Sequence, residues 1–114
     1  MGDSLRELRR LPDDVKQDIG IALMMVQYGE TPRNAKPLTG HKEFRGGSVM
    51  EIVERYSTDT YRAVYAAKIG DAIYVLHVFQ KKSTSGIATP QRDIDLIIDR
   101  LRDARADAAK HQRG

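Results

Sequence analysis

Residues 61–82, YRAVYAAKIGDAIYVLHVFQKK, are two runs of aromatic, β-branched and small residues joined at Gly70-Asp71. Such runs about a two-residue joint spell a β-hairpin. Counting outward from the joint sets Ile69 opposite Ala72, Tyr65 opposite Leu76 and Arg62 opposite Phe79. Strand side chains alternate between faces. One face therefore takes Tyr61, Ala63, Tyr65, Ala67, Ile69, Tyr74, Leu76 and Val78, a core set. The other takes Arg62, Val64, Lys68, Ile73, Val75, His77, Phe79 and Lys81. Three cations and a histidine thus share a partly apolar surface, and that is where chemistry is to be sought.

Upstream, residues 49–56 read as a further strand, joined to the hairpin by a short loop at 57–60. If Tyr56 closes on Tyr61, Arg55 stands opposite Arg62, and Glu51, Val53 and Arg55 line Arg62's face. Like charges directly across a ladder destabilise it. An anion between the two arginines, or solvent around Arg55, would remove the conflict.

Residues 3–10 form a short helix, with Leu5 and Leu8 three apart and Asp3 or Ser4 as cap. Pro12 suits the first turn of a second helix, and Asp13 and Asp14 suit the positive end of its dipole. Val15, Ile19, Ala22, Leu23 and Val26 form its apolar stripe, and Gly29 stops it. Met24 and Met25 read as core filling. The two helices are expected to form a hairpin on one face of the sheet. Residues 30–48, with two prolines and three glycines, have no period and read as a loop. It carries Arg33, Lys36, Lys42 and Arg45, suited to phosphate contact or simply to solvation, and also His41. After a polar loop at 83–89, Thr89-Pro90 caps a last helix with a stripe of Ile94, Ile97, Ile98, Leu101, Ala104 and Ala108. Its other face mixes aspartates and arginines as a solvated surface does, and residues 110–114 are expected to fray. The order is helix, helix, strand, strand, strand, helix. This is an α+β chain in which a helical hairpin packs on an antiparallel meander and a C-terminal helix follows.

At 114 residues the chain fits one domain, spanning 1–114. Its 40% hydrophobic and 31% charged composition is that of a globular protein and not of a disordered one. The absence of cysteine excludes disulfides and thiolate metal sites. No apolar run approaches the ~20 residues needed to span a bilayer, and no leader precedes the first helix. A cytoplasmic protein without membrane association is expected. The net charge is +3, and residues 41–82 hold seven basic and five acidic side chains against six of each in residues 1–40. That surplus permits nucleic-acid binding without establishing it. His41, His77 and His111 fall in a loop, a strand and a tail without metal-ligand spacing, so no metal is expected. Gly46-Gly47 lacks the context of a phosphate loop, and no nucleophile-elbow pattern is present. What is left is a cationic, histidine-bearing sheet face, suited to stabilising phosphate charge and to acid/base work without a cofactor.

Those residues carry a resemblance. KPLTG (36–40), VMEI (49–52), YRAVY (61–65), IYVLHVFQKK (73–82), Thr89-Pro90 and the opening SLRELRRLP (4–12) together resemble the phage-derived Gp49-like, or HigB-type, branch of the RelE/ParE toxin superfamily. YRxxY and LHxFxKK, in that order and spacing, give the match its specificity. The resemblance implies a bacterial type II toxin neutralised by a helix-turn-helix, HigA-like antitoxin. It implies a ribosome-dependent mRNA endoribonuclease that inhibits translation without metal, the ribose 2′-hydroxyl attacking the adjacent phosphate. Carried over by position, it makes Arg62 the ligand of the scissile phosphate and Lys81 a phosphate ligand or proton donor. His77 becomes a candidate acid or base. Arg55, Lys82, Lys68, Lys42 and Arg45 are the expected substrate-binding set. Two simpler readings stand beside these: His77 as a packed, satisfied core histidine, and Arg62 as an ion-pair partner of Glu51.

Two departures from the family pattern are visible. The strand that usually opens such chains has no counterpart ahead of the helices here: either the start is truncated, or the sheet lacks that strand and keeps an edge open to pairing. Val53 occupies a position often basic in relatives. Two other readings therefore remain, a ParE-like toxin that binds DNA gyrase without nuclease chemistry and a catalytically silent prophage remnant.

Overall fold

A computed structural model describes residues 4–39, 41–47, 49–56, 59–69, 72–82 and 90–112. The chain runs α1 (Ser4–Arg9), α2 (Asp13–Gln27), β1 (Ala35–Pro37), a 3-10 helix (Lys42–Gly47), β2 (Val49–Tyr56), β3 (Asp59–Ile69), β4 (Ala72–Lys82) and α3 (Gln91–Gln112). The strands form one antiparallel sheet in sequence order. The α+β architecture is as expected, with one strand more than the periodicity suggested. The capping residues Asp3 and Thr89, the joint Gly70-Asp71 and the loop 83–89 lie outside the described residues.

The extra strand is β1, inside the stretch expected to be a loop. Ala35, Lys36 and Pro37 pair with Ile52, Glu51 and Met50. Three residues, one of them proline, cannot display a period, and the pairing is fixed from both ends. Asn34 Nδ2 donates to the Val53 carbonyl at 3.0 Å, the Val53 amide donates to the Asn34 carbonyl at 3.0 Å, and the Leu38 amide donates to the Val49 carbonyl at 2.9 Å. Pro37 is tolerated because β1 is an edge strand.

Pro12 takes the N-cap position of α2 and not the first helical position, so the helix begins one residue later than expected, and Asp13 and Asp14 occupy its first turn. At its other end Gly29 adopts φ +86°. The Gly29 amide donates to the Val26 carbonyl at 3.0 Å and the Glu30 amide to the Met25 carbonyl at 2.9 Å, the paired bonds of a Schellman stop. Val15, Ile19 and Ala22 pack with Ile52, Tyr61, Ala63, Tyr65 and Val78, and Leu8 and Leu11 join the same cluster from α1 and the turn after it. On the opposite face of the sheet, Ile94, Ile97, Ile98, Leu101 and Ala104 of α3 pack with Val49, Val64, Ala66 and Leu76, and Phe44 of the 3-10 helix completes that layer. Each fully buried aliphatic side chain contributes about 1.5–3 kcal/mol of transfer free energy. Thus α3 covers part of the face that the resemblance leaves for substrate. Met24 is not core filling: it is largely exposed, while Met25 is half-buried.

Two registers differ from the count. On β2–β3, Val53 and not Arg55 faces Arg62, and Arg55 faces Thr60. The strands run closer together in sequence than expected, Tyr56 pairing with Asp59, so the connection shortens and the arginines never stand opposite one another. On β3–β4, Ile69 faces Ala72 and Arg62 faces Phe79 as counted, but Tyr65 faces Val75, not Leu76. The register shifts by one between Ile69 and Ala66 and shifts back between Tyr65 and Val64. The second irregularity leaves Leu76 as the extra residue on β4, a β-bulge. It exchanges the faces of the inner part of β4. Tyr74 and Leu76 join the α3 side, whereas Ile73 and Val75 join the α2 side.

Candidate functional site

Beyond the bulge β4 regains the counted phase, so Arg62, Val64, His77 and Phe79 do occupy one face. Glu51 joins them from β2, opposite Val64, and Lys36 from β1, opposite Glu51. Arg62 is 6% and Glu51 4% exposed. Arg62 Nη1 donates to Glu51 Oε2 at 2.9 Å, and Lys36 Nζ lies 3.6 Å from Glu51 Oε1. One buried carboxylate therefore carries a cation on each oxygen, leaving the trio with an excess positive charge. Arg62 Nε is also buried and has no hydrogen-bond partner among the described residues. A buried guanidinium with an uncommitted N–H is an unsatisfied donor, which costs about 1–3 kcal/mol and is met by an acceptor such as a phosphate oxygen.

His77 belongs to a second cluster. It is 5% exposed. Nε2 lies 2.9 Å from Asp93 Oδ1 on α3, and Nδ1 lies 3.1 Å from Glu7 Oε1 on α1. Arg100 Nη1 donates to Glu7 Oε1 at 3.0 Å and to the Leu76 carbonyl at 2.8 Å, and it lies 3.3 Å from His77 Nδ1. Glu7 also accepts the Val78 amide at 3.1 Å, so α1 caps the outer edge of β4 at that residue. Burial opposes ionisation of Glu7. The Arg100 bond, the Val78 amide and His77 outweigh it and hold the carboxyl below the usual glutamate range. A protonated His77 ring donates to both carboxylates. A neutral ring donates from Nε2 and can accept from Arg100 at Nδ1. Phe79 stacks on the imidazole at 4.7 Å and 16°, and in register it faces Arg62, so it stands between the two clusters.

The expected site residues therefore divide. Arg62 lies with Glu51 and Lys36, and His77 lies at the junction of α1, β4 and α3. Lys81 pairs with Thr60, and Lys82 with Asp59, at the open end of the β3–β4 ladder. Arg55, also facing Thr60 across β2–β3, is exposed at that same end. For Lys81, Lys82, Lys68 and Arg45 the described feature is the backbone position. Lys68 lies toward the hairpin joint, six residues or roughly 20 Å of strand from Arg62. Lys42, exposed, and Arg45 belong to the 3-10 helix, which leads into the start of β2 and is tied to α3 by Arg102 Nη2 donating to Glu43 Oε1 at 3.2 Å. Arg55 lies at the far end of β2, again roughly 20 Å along the strand. The fold thus gathers Arg62, Arg55, Lys81 and Lys82 toward one end of the sheet and places Lys42, Arg45 and Lys68 toward the other.

Glu7, Asp93 and Arg100 lie outside the site expected from the sequence, where Lys36 is only a loop cation. The missing signal for α3 was spacing: Asp93 and Arg100, seven apart, share a helix face. Lys36 gave none, because its position depends on β1. Among the described residues no group of three His, Cys, Asp or Glu side chains is arranged to hold a metal ion, and no helix is long and apolar enough to cross a membrane.

The family described as Phage derived protein Gp49-like matches residues 6–102. Searches of curated proteins and of solved structures returned no match.

Proposed function

The chain belongs to the Gp49-like family of phage-derived, RelE/HigB-like toxins, and from that premise we propose that it is a ribosome-dependent mRNA endoribonuclease held in check by a helix-turn-helix antitoxin. The observation that carries this reading is the Lys36–Glu51–Arg62 cluster, in which a buried arginine on the central hairpin keeps one N–H uncommitted among the described residues. In the proposed reaction the ribose 2′-hydroxyl gives its proton to a water molecule and attacks the adjacent phosphorus, and the bond to the 5′-oxygen breaks. A 2′,3′-cyclic phosphate and a free 5′-hydroxyl result. Arg62 neutralises charge on the equatorial phosphate oxygens, and preorganised donors of this kind supply a large part of such catalysis. Lys81 protonates the leaving 5′-oxygen, while Arg55 and Lys82 hold the flanking backbone. Arg62 is buried in the free protein, so the side chains over it must part when RNA enters. To act as the base, His77 would have to release one of its two carboxylate partners; the geometry suits it better to tying α1 and α3 to β4.

The burial of both Arg62 and His77 favours a second reading, in which the chain acts by binding, as a gyrase-directed toxin or a silent relative would. One experiment separates them. Induced expression in a bacterial host, followed by sequencing of RNA 5′ ends, should show growth arrest with codon-linked cuts. Arrest with DNA-damage signalling and intact mRNA would transfer the assignment to gyrase, and no arrest would indicate the silent relative.

A further inference from the structure

The inner side of α2 is buried through Val15, Ile19 and Ala22. Its outer side is only partly polar. Ile21, Met24 and Tyr28 are 51%, 57% and 80% exposed. Spaced three and four apart, they form one stripe about 10 Å long on the helix. Single exposed apolar side chains are ordinary; large ones aligned along a helix mark an interaction face.

The surroundings of the stripe narrow what can cover it. Asp14 and Asp18 continue the exposed side toward the helix start, and no basic residue lies in the last turn. Asp18 also hydrogen-bonds Glu54 of β2. Burial, together with the Asp18 charge, pushes the Glu54 carboxyl above its usual range. Among the described residues no lysine or arginine pairs with Asp18 or Glu54; the one ion pair on the helix joins Lys16 to Asp13. A second copy laid on this face would bring acidic residues to acidic residues in a parallel packing, or Asp14 and Asp18 to Tyr28 and Glu30 in an antiparallel one. Neither supplies a cation. Lipid headgroups and nucleic acid are anionic and meet the same repulsion. A protein segment with basic side chains beside an apolar ridge satisfies both features.

We propose that the outer face of α2 is the docking surface for a basic amphipathic helix of a partner protein. The apolar ridge of that helix lies along Ile21, Met24 and Tyr28, and a lysine or arginine bridges Asp18 and Glu54. The proposal rests on the toxin reading only in expecting a protein partner. Because α2 covers the face of the sheet opposite Glu51 and Arg62, such a partner holds the protein without needing to cover that cluster.

The test is a titration of the isotope-labelled full chain with a synthetic amphipathic helix of leucine, alanine and lysine, followed by amide chemical shifts and fluorescence anisotropy. Shift changes should gather on residues 14–28 and on Glu54. The Asp18→Asn variant should bind roughly two- to fivefold more weakly, the worth of one exposed ion pair. The triple variant Ile21→Ser, Met24→Ser, Tyr28→Ser should not bind, while its amide shifts away from α2 remain those of the parent. Equal binding of a peptide with glutamate in place of lysine, or changes centred on the sheet, would overturn the proposal. So would a dimer in sedimentation velocity that the triple variant abolishes, which would make the occupant a second copy. Growth arrest is read separately: the triple variant should arrest growth as the parent does, so a failed titration and a failed toxin reading are distinguishable.

Discussion

Arg62 reaches diagonally across the β2–β3 ladder to Glu51. Its Nη1 donates to Oε2 at 2.9 Å, although Arg62 faces Val53 and Glu51 faces Val64. Both side chains are buried, and desolvating such a pair costs several kcal/mol that its attraction only partly returns. The pair therefore contributes little net stability, but removal of one member leaves the other charged and alone.

From that asymmetry, Glu51→Ala should lower the unfolding free energy by about 3–5 kcal/mol. Lys36→Ala should change it by less than about 1 kcal/mol, because the lysine is exposed. Urea denaturation of the two variants measures both, and equal effects would contradict the burial asymmetry.

Arg62→Ala confounds folding with function, so Arg62→Lys is the sharper variant. Lysine keeps a cation near Glu51 but loses the planar fork and the Nε donor. Toxicity on induction should fall by about tenfold or more, the value of one lost transition-state bond of ~1.4 kcal/mol, while the thermal midpoint stays close to that of the parent. Lys81→Ala should likewise abolish toxicity. Full toxicity in both variants would remove these residues from the site.

Glu7 titrates lower in the folded chain than in the unfolded one. Its contribution is thus complete above the unfolded glutamate value and is lost as pH falls through the folded value. Glu7→Gln should cost about 2 kcal/mol at neutral pH, the scale of hydrogen bonds to a charged group, and the difference from the parent should narrow on acidification. Stability measured across an acid series checks the sign, and a gap that widens toward low pH would refute it.

Glu54 has the opposite sign. Its folded pKa is raised, chiefly by burial and then by Asp18, so its favourable contribution is present below the unfolded value and is lost as pH rises through the folded one. Glu54→Gln should stabilise the chain by about 0.5 kcal/mol at neutral pH, discounted for partial exposure, and by nothing in acid. Paired thermal melts at the two pH values would show it, and destabilisation at neutral pH would count against the carboxyl pair.

Much of the fold was legible. The stripes of α2 and α3, the stop at Gly29 and the pairing of Arg62 with Phe79 follow from periods and turn chemistry that each segment carries within itself. The middle of the β3–β4 ladder did not. Two register shifts cancel, so counting from the joint is right at both ends and wrong between them. Neither is marked by a glycine, since Leu76 is accommodated by the space beneath α3. Met24 departs from expectation for a related reason: an apolar residue on a helix states a preference for burial, and only the neighbouring elements decide whether burial is available.

The candidate site shows the same division. Residue identity and alternation alone put a histidine and an arginine on one face of the hairpin, because side-chain alternation is local geometry. Whether the histidine stays solvent-facing was decided by α1 and α3, which bring Glu7, Asp93 and Arg100 to His77 across separations of up to 70 residues. The placement of Lys36 was decided by a three-residue strand with no period of its own, fixed by Asn34 and β2. Sequence determined which charges lie near the hairpin. Tertiary packing decided which of them are neutralised, because burying a charge requires partners, and those partners came from elements far away along the chain.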